Sequence, residues 1–286
     1  SSLIVGYVGE VYGWHYGFGL AGICMLLGLI QFVLGQKYLV GVGDFLGKSA
    51  NVEDQEALTR PLNKTEKDRV IVLILSFLMV IVFFGAFEQA GGLMNIYASE
   101  KTNRMLMGWE VPASWFQSLN AFFIIVLGAL VANFWAGRKL KGKEASSLFK
   151  MIVGLIIMGT GFLFMTAATA QFESSGSSAM YWLVLAYLFH TVGELSLSPV
   201  SLSFVTKLAP AKYASLMMGL YFATTGFGNK LAGLLGESAS HLGEYTVFTG
   251  IAIFCILFGL LIRVFLKKLK ALTHGAEDNE KRIVHE

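Results

Sequence analysis

The chain is expected to be an all-α integral membrane protein, built as a bundle of spanning helices. Three observations predict this. Its 286 residues are 55% hydrophobic and 14% charged, with mean hydropathy +0.63, which excludes a disordered chain or an ordinary soluble domain. Apolar runs long enough to cross a bilayer recur along it. Basic residues gather in alternate connecting segments, the charge bias of cytoplasmic loops.

The elements follow in order. Residues 1–16 read as the end of one span and its turn, with Gly9-Glu10 and Gly13-Trp14. The chain opens on Ser1-Ser2 in an already apolar stretch without a signal-peptide pattern, and reads as the interior of a longer chain. Residues 17–33 form a span. Residues 36–69 carry both charge signs, among them Asp44, Lys48, Glu53, Asp54, Arg60 and Lys64, and read as a linker between two hydrophobic halves. Six spans are then expected, near 70–97, 113–135, 149–172, 179–208, 213–235 and 245–266. The expected organisation is therefore 1–35 as the end of one bundle, 36–69 as linker, 70–272 as a six-helix bundle and 273–286 as a charged, disordered tail.

Loop charge orients these spans. Arg138, Lys139, Lys141, Lys143 and Lys150 follow the second of the six, Lys207 and Lys212 the fourth, and Arg263, Lys267, Lys268 and Lys270 the last. The opposite loops hold Glu173, Glu237, His241 and Glu244. The linker and the C-terminus are then cytoplasmic. The 32 glycines suit close helix packing in lipid. Cys24 and Cys255 both sit in apolar runs and read as packing residues.

Polar residues within the spans are the candidates for function, because an ionisable group there is costly. The run 180–205 holds Glu194, and at 100° per residue Tyr187, His190, Glu194, Ser198 and Ser201 share one stripe. This stripe is expected to face a wet cavity, on a helix kinked at Pro199. Glu194 reads either as half of a structural ion pair or as a site residue. His190 either shares a proton with Glu194 or only lines the cavity. Glu88 shares a face with Phe84 and Asn95, and Gly91-Gly92 allows a bend. It reads as a structural ion-pair partner, or as a gate and proton carrier. Gln117 and Asn120 are helix glue or ligand contacts. Trp109 and Trp115 mark the outer interface. Tyr221, Thr225 and Gly228 share a face, and Lys230, nearly opposite, snorkels away from the cavity.

No C-x-x-C, H-E-x-x-H, Walker A or G-x-S-x-G pattern occurs in the required context, so no enzyme chemistry, metal or organic cofactor is expected. No basic stripe with interleaved aromatics points to nucleic acid.

Five stretches, in order and at span-like spacing, carry a resemblance. They are G-W-H-Y-G-F-G-L-A-G (13–22), F-E-Q-A-G-G (87–92), P-A-S-W-F-Q-S-L-N-A-F-F-I-I (112–125), G-E-L-S-L-S-P-V (193–200, with K-L-A-P at 207–210) and M-M-G-L-Y-F-A-T-T (217–225). They resemble helices six, seven, eight, ten and eleven of the proton-dependent oligopeptide transporters (POT/PTR), a branch of the major facilitator superfamily. The resemblance implies a bacterial inner-membrane symporter that imports di- and tripeptides with protons by alternating access. By motif position it implies that Glu194 binds the peptide amino terminus together with Asn120. Phe84 and Tyr221 line the pocket, with Ser198 beside them, and Glu88 gates and couples protons. The family's E-x-x-E-R-F-x-Y-Y signature and its helix-four cation are missing, along with helices one to four. Residues 36–69 are too short and too polar for the two extra helices of many bacterial members.

The physics is compatible with that role. A carboxylate and an amide oxygen can hold a peptide ammonium by charge-assisted hydrogen bonds. The peptide carboxylate needs a cation, which the missing N-terminal bundle is expected to supply. A buried glutamate whose basic partner comes and goes between two states binds and releases a proton. Two other readings stay open: a carrier of the same superfamily for nitrate or a drug, or a membrane protein that binds peptides without moving them.

Overall fold

The computed structural model describes residues 2–38 and 60–276. Two compact units emerge, 1–61 and 62–286. Much of the expected linker and most of the tail, residues 39–59 and 277–286, lie outside the described residues.

In the first unit, a π-helical turn (Ser2–Gly6) leads into α1 (Tyr7–Tyr12). Gly13, at φ 114°, breaks the chain before α2 (Trp14–Gly35). Gly9 and Gly17 are buried here, and a Cβ on Gly17 would stand 2.9 Å from the Val5 carbonyl oxygen. The hairpin therefore closes on glycine.

The second unit contains α3 (Lys64–Phe87), α4 (Leu93–Glu100), α5 (Trp115–Leu140), α6 (Ser147–Ser175), α7 (Met180–Leu208), α8 (Ala214–Leu242) and α9 (Glu244–Leu272). α3 starts six residues earlier than the hydropathy suggests, inside the segment read as linker. Asn63 accepts from the Glu66 amide and Glu66 reaches back to the Asn63 amide, each at 2.8 Å. This capping box holds a charged first turn in helix that apolar content alone does not reveal. The expected single span 70–97 is interrupted: Glu88–Ala90 is a 3-10 turn and Gly91-Gly92 a turn before α4.

Six described helical segments are long and apolar enough to cross a bilayer, five of them in this unit. α8 has comparable length, at 29 residues, but is not among them; Thr224, Thr225, Asn229 and Lys230 dilute its apolar content. With it the unit has the six expected crossings, making the chain a multi-pass membrane protein.

α6 packs most extensively, against α7 and α9, while α8 packs on α3, and α5 lies chiefly on α7. The α6–α7 crossing is set by two glycines. A Cβ on Gly154 would stand 2.7 Å from the Gly193 carbonyl oxygen, and one on Gly193 would stand 2.7 Å from that of Gly154. Two residues without a Cβ, one on each helix, allow backbones this close. Phe162, Met158, Phe204, Leu197 and Phe248 fill the core around them.

At the end opposite the basic loops, short strands tie the helices. β1 (Thr102–Asn103) pairs in parallel with β4 (Ser178–Ala179), and β2 (Met105–Leu106) pairs antiparallel with β3 (Trp109–Glu110) through Met107-Gly108, both at positive φ. Lys101 Nζ meets Glu244 Oε2 at 2.5 Å, linking the end of α4 to the start of α9. Trp109 and Trp115 lie here with ring centroids 5.2 Å apart.

Candidate functional site

A cavity of about 550 Å³ lies between α3, α5, α7 and α8. Its position follows from the helix that breaks beside it. α3 ends at Phe87 and the chain turns at Glu88, so Phe84 and Glu88 project from the last turn into the space. Gln89 points the other way. Its buried amide donates to the carbonyl oxygens of Gly85 (3.3 Å) and Ala232 (2.9 Å), pinning the break to α8. α8 can lie this close because Gly228 is bare: a Cβ there would stand 2.6 Å from Phe84 Cβ.

From α7 come Glu194 and Ser198, with Pro199 and Leu195. Pro199 sits inside a helix that continues to Leu208. Having no amide hydrogen, it leaves the Leu195 carbonyl without its intrahelical donor, beside the cavity. From α8 come Tyr221, Thr225 and Asn229. Tyr221 is 4% exposed. Ser201 Oγ donates to the Ser198 carbonyl at 2.9 Å, so in the 3.0 Å contact between Ser201 and Tyr221 the phenol is the donor.

Glu194 is held by α5. Asn120 Nδ2 donates to Glu194 Oε2 at 2.7 Å and to Thr191 Oγ1 at 3.2 Å. Thr191 in turn donates to the Tyr187 carbonyl at 2.7 Å. Glu194 Oε1 has no hydrogen-bond partner among the described residues. Glu88 has neither a hydrogen-bond nor an ion-pair partner among them. The cavity thus exposes two carboxylates and, among the described residues, is lined by no Lys, Arg or His. Such a wall attracts a cation and repels an anion.

A second cavity, about 190 Å³, is bounded by Glu88, Gly91, Gln117, Asn120, Tyr187 and His190. The Tyr187 hydroxyl donates to the Ala90 carbonyl at 2.9 Å, fastening α7 to the turn after Glu88. His190 is 1% exposed, packs on Phe162 at 4.5 Å between ring centroids, and finds no partner for either ring nitrogen among the described residues.

The structure brings Phe84, Glu88, Glu194, Ser198 and Tyr221 around one cavity, with Asn120 bonded to Glu194 at its edge. It divides the expected polar stripe of α7. Glu194 and Ser198 face the large cavity, Tyr187 and His190 the smaller one, and Ser201 is bonded to Tyr221. Asn95 stands beyond the helix break, with its buried Oδ1 unpaired among the described residues. Lys230 is exposed and absent from the cavity lining, as expected. Asn229 is an addition to the expected lining, although its spacing of four from Thr225 places it on the stripe that Tyr221 begins. No group of three or more His, Cys, Asp or Glu residues able to hold a metal occurs among the described residues.

Among known proteins, the family model described as POT family matches residues 1–52 and 44–247. The peptide transporter YePEPT of Yersinia enterocolitica subsp. palearctica is 30% identical over 294 residues, covering 82% of this chain and 58% of that protein. The di-/tripeptide transporter of Lactococcus lactis subsp. cremoris is 25% identical, over 95% of this chain and 66% of its own length. The crystal structure of peptide transporter POT in complex with sulfate superposes with TM-score 0.79 at 27% identity, covering 94% of this chain and 65% of that one. This chain therefore spans less than two thirds of each of these three relatives.

Proposed function

The chain belongs to the POT family, and on that premise we propose that it forms one wall of a proton-coupled importer of di- and tripeptides. The major facilitator bundle expected from the sequence is the fold it shares with the POT crystal structure, and similar proteins are named as peptide transporters. The observation that carries the reading is the pair of carboxylates on a cavity without a basic residue among those described in its lining. A peptide ammonium, or a proton, is what such a wall accepts.

In this reading the ammonium sits against Glu194 Oε1, while Asn120 fixes the other oxygen. Phe84, Tyr221 and Ser198 bound the peptide. Glu88, unpaired on this side, takes its basic partner from the remaining part of the full transporter, which also supplies the cation for the peptide carboxylate. Glu88 is the first proton carrier and Glu194 the second. His190 shares the smaller cavity with Glu88 and is the third candidate. The proton is the only coupling ion, with no other cofactor. The full protein lies in a bacterial inner membrane with its basic loops, linker and C-terminus inside, and alternates access by rocking of two bundles.

The test uses the full-length transporter in liposomes with an alkaline interior. Labelled dialanine should accumulate, and a protonophore should abolish the accumulation. Folded, inserted protein that fails to accumulate dialanine sinks the proposal and moves the reading to another solute.

A further inference from the structure

Glu88 stands on backbone that does little to hold it. A 3-10 turn bonds with poorer geometry than an α-helix, and Gly91-Gly92 follow at once. The turn is held from outside, by a bond on each of the next two residues. Gln89, 1% exposed, donates its side-chain amide to the carbonyl oxygens of Gly85 at 3.3 Å and of Ala232 on α8 at 2.9 Å. Both acceptors are carbonyls, so only the nitrogen end of the amide fits there. The Ala90 carbonyl oxygen accepts from the Tyr187 hydroxyl of α7 at 2.9 Å, and Tyr187 is itself 1% exposed. Glycines open the way for the first bond. A Cβ on Gly85 would stand 2.7 Å from Leu231 Cδ2, and one on Gly228 3.3 Å from the Gly85 nitrogen. α3 and α8 therefore touch one turn before Gln89 reaches across.

We propose that Gln89 and Tyr187 are positioning residues for Glu88, a role that rests on the reading of Glu88 as a proton carrier. Gln89 ties the turn to the helix that carries Tyr221, and Tyr187 ties it to the helix that carries Glu194. The carboxylate is thus placed relative to two walls of the large cavity at once. Both bonds lie before Gly91-Gly92, so a bend at the glycines leaves Glu88 where it is. A carrier must meet a basic partner in one state and release its proton in the other. A carboxylate on a loose turn spends only part of its time where either exchange occurs. Neither bond touches the proton or the peptide, and both are buried within this chain, whatever fills the cavities. Removing one lowers the competent population without altering the carboxylate itself.

The test uses Gln89→Met and Tyr187→Phe, which keep the shape of each side chain and lose its donor. The control is Ser196→Ala, which removes the buried Trp135–Ser196 bond between α5 and α7, at a residue that lines neither carboxylate cavity. The full-length transporter is assayed in liposomes for proton-driven dialanine accumulation and for counterflow, and by amide hydrogen exchange over residues 88–92. In Gln89→Met and Tyr187→Phe, accumulation relative to counterflow should fall by about tenfold, the size of one net hydrogen bond. Exchange over the turn should quicken by about the same factor. Ser196→Ala should change neither. Tyr187→Phe, the milder change, decides the matter if Gln89→Met fails to fold. Faster exchange with an unchanged ratio would make the bonds structural only, and unchanged exchange would show that they do not hold the turn. Either result overturns the proposal, as does an equal fall in Ser196→Ala. Glu88→Gln in the same preparation separates these outcomes from failure of the transport reading: if it keeps proton-driven uptake, the carrier assignment falls and the positioning role with it.

Discussion

Asn120 holds one oxygen of Glu194 at 2.7 Å and leaves the other unpaired, among the described residues, at the cavity edge. The amide thus orients the carboxylate without neutralising it. In the proposed function, Asn120→Ala frees Glu194 to rotate and removes a hydrogen bond to a charged group, worth about 1.5–3 kcal/mol. Peptide affinity should fall by about tenfold or more. Glu194→Gln should weaken binding further, since the charge itself is lost. Calorimetric titration of the full-length transporter with dialanine reads both variants; unchanged affinity in Glu194→Gln removes Glu194 from the site.

In the proposed function, Glu88 separates binding from coupling. Glu88→Gln keeps the shape of the side chain and cannot carry the proton. Proton-driven uptake should be lost while peptide counterflow, which needs no net proton movement, persists. The two assays run side by side in one liposome preparation decide this, and parallel loss of both argues for a structural role.

Two glycines on α8 should respond to alanine with opposite signs. Gly228→Ala puts a methyl group 2.6 Å from Phe84 Cβ, an overpacking that costs about 1–3 kcal/mol. It also presses on the helix turn that carries Glu88. Gly226, on the same helix, has open space where the alanine methyl would go, with nothing within 4 Å. There alanine should stabilise by about 0.5–1 kcal/mol through lower unfolded-state freedom. Thermal unfolding in detergent should rank the variants Gly226→Ala, parent, Gly228→Ala from highest to lowest.

Outside the membrane spans, Glu144 makes a pH-dependent clasp. Burial raises its pKa, but the Ser146 hydroxyl and backbone amide beside it (the amide donating at 3.0 Å), together with Lys270 at 3.1 Å, outweigh this and bring it from 4.5 down to about 2. A carboxyl whose folded pKa is depressed stabilises the fold above its unfolded pKa and loses that contribution as pH falls through the folded value. Glu144→Gln should therefore lower the melting temperature slightly at neutral pH, by an amount equivalent to less than about 1 kcal/mol for so exposed a pair. The gap to the parent should hold down to about pH 4.5 and close towards pH 2. A gap that does not change with pH would rule out the charge as its source.

Much of the fold can be read from the sequence because lipid demands long apolar runs, and such runs are visible without knowing their partners. The helix break at Glu88 is less visible. Gly91-Gly92 announces a bend, but the chain leaves the α-helix three residues earlier, where the Gln89 side chain donates both to Gly85 of its own helix and to Ala232 of α8. Hydropathy misses the start of α3, although Asn63 and Glu66 spell a cap. The strands at 102–110 and 178–179 are two residues each, too short for any periodicity. At the site, residue identities are legible and their neighbours are not. Helical phase places His190 and Glu194 on one stripe, and only packing against Gly161 and Phe162 assigns His190 to a separate chamber.

Glu88 lines both chambers, and among the described residues the two linings share no other residue, Asn120 reaching the large cavity only through its bond to Glu194. It occupies a doorway. Its backbone lies in a 3-10 turn between two helices, so the charge can be handed from one room to the other by turning a side chain, while the helical walls stay where they are. In the proposed function, a threshold of this kind lets a single carboxylate serve both rooms.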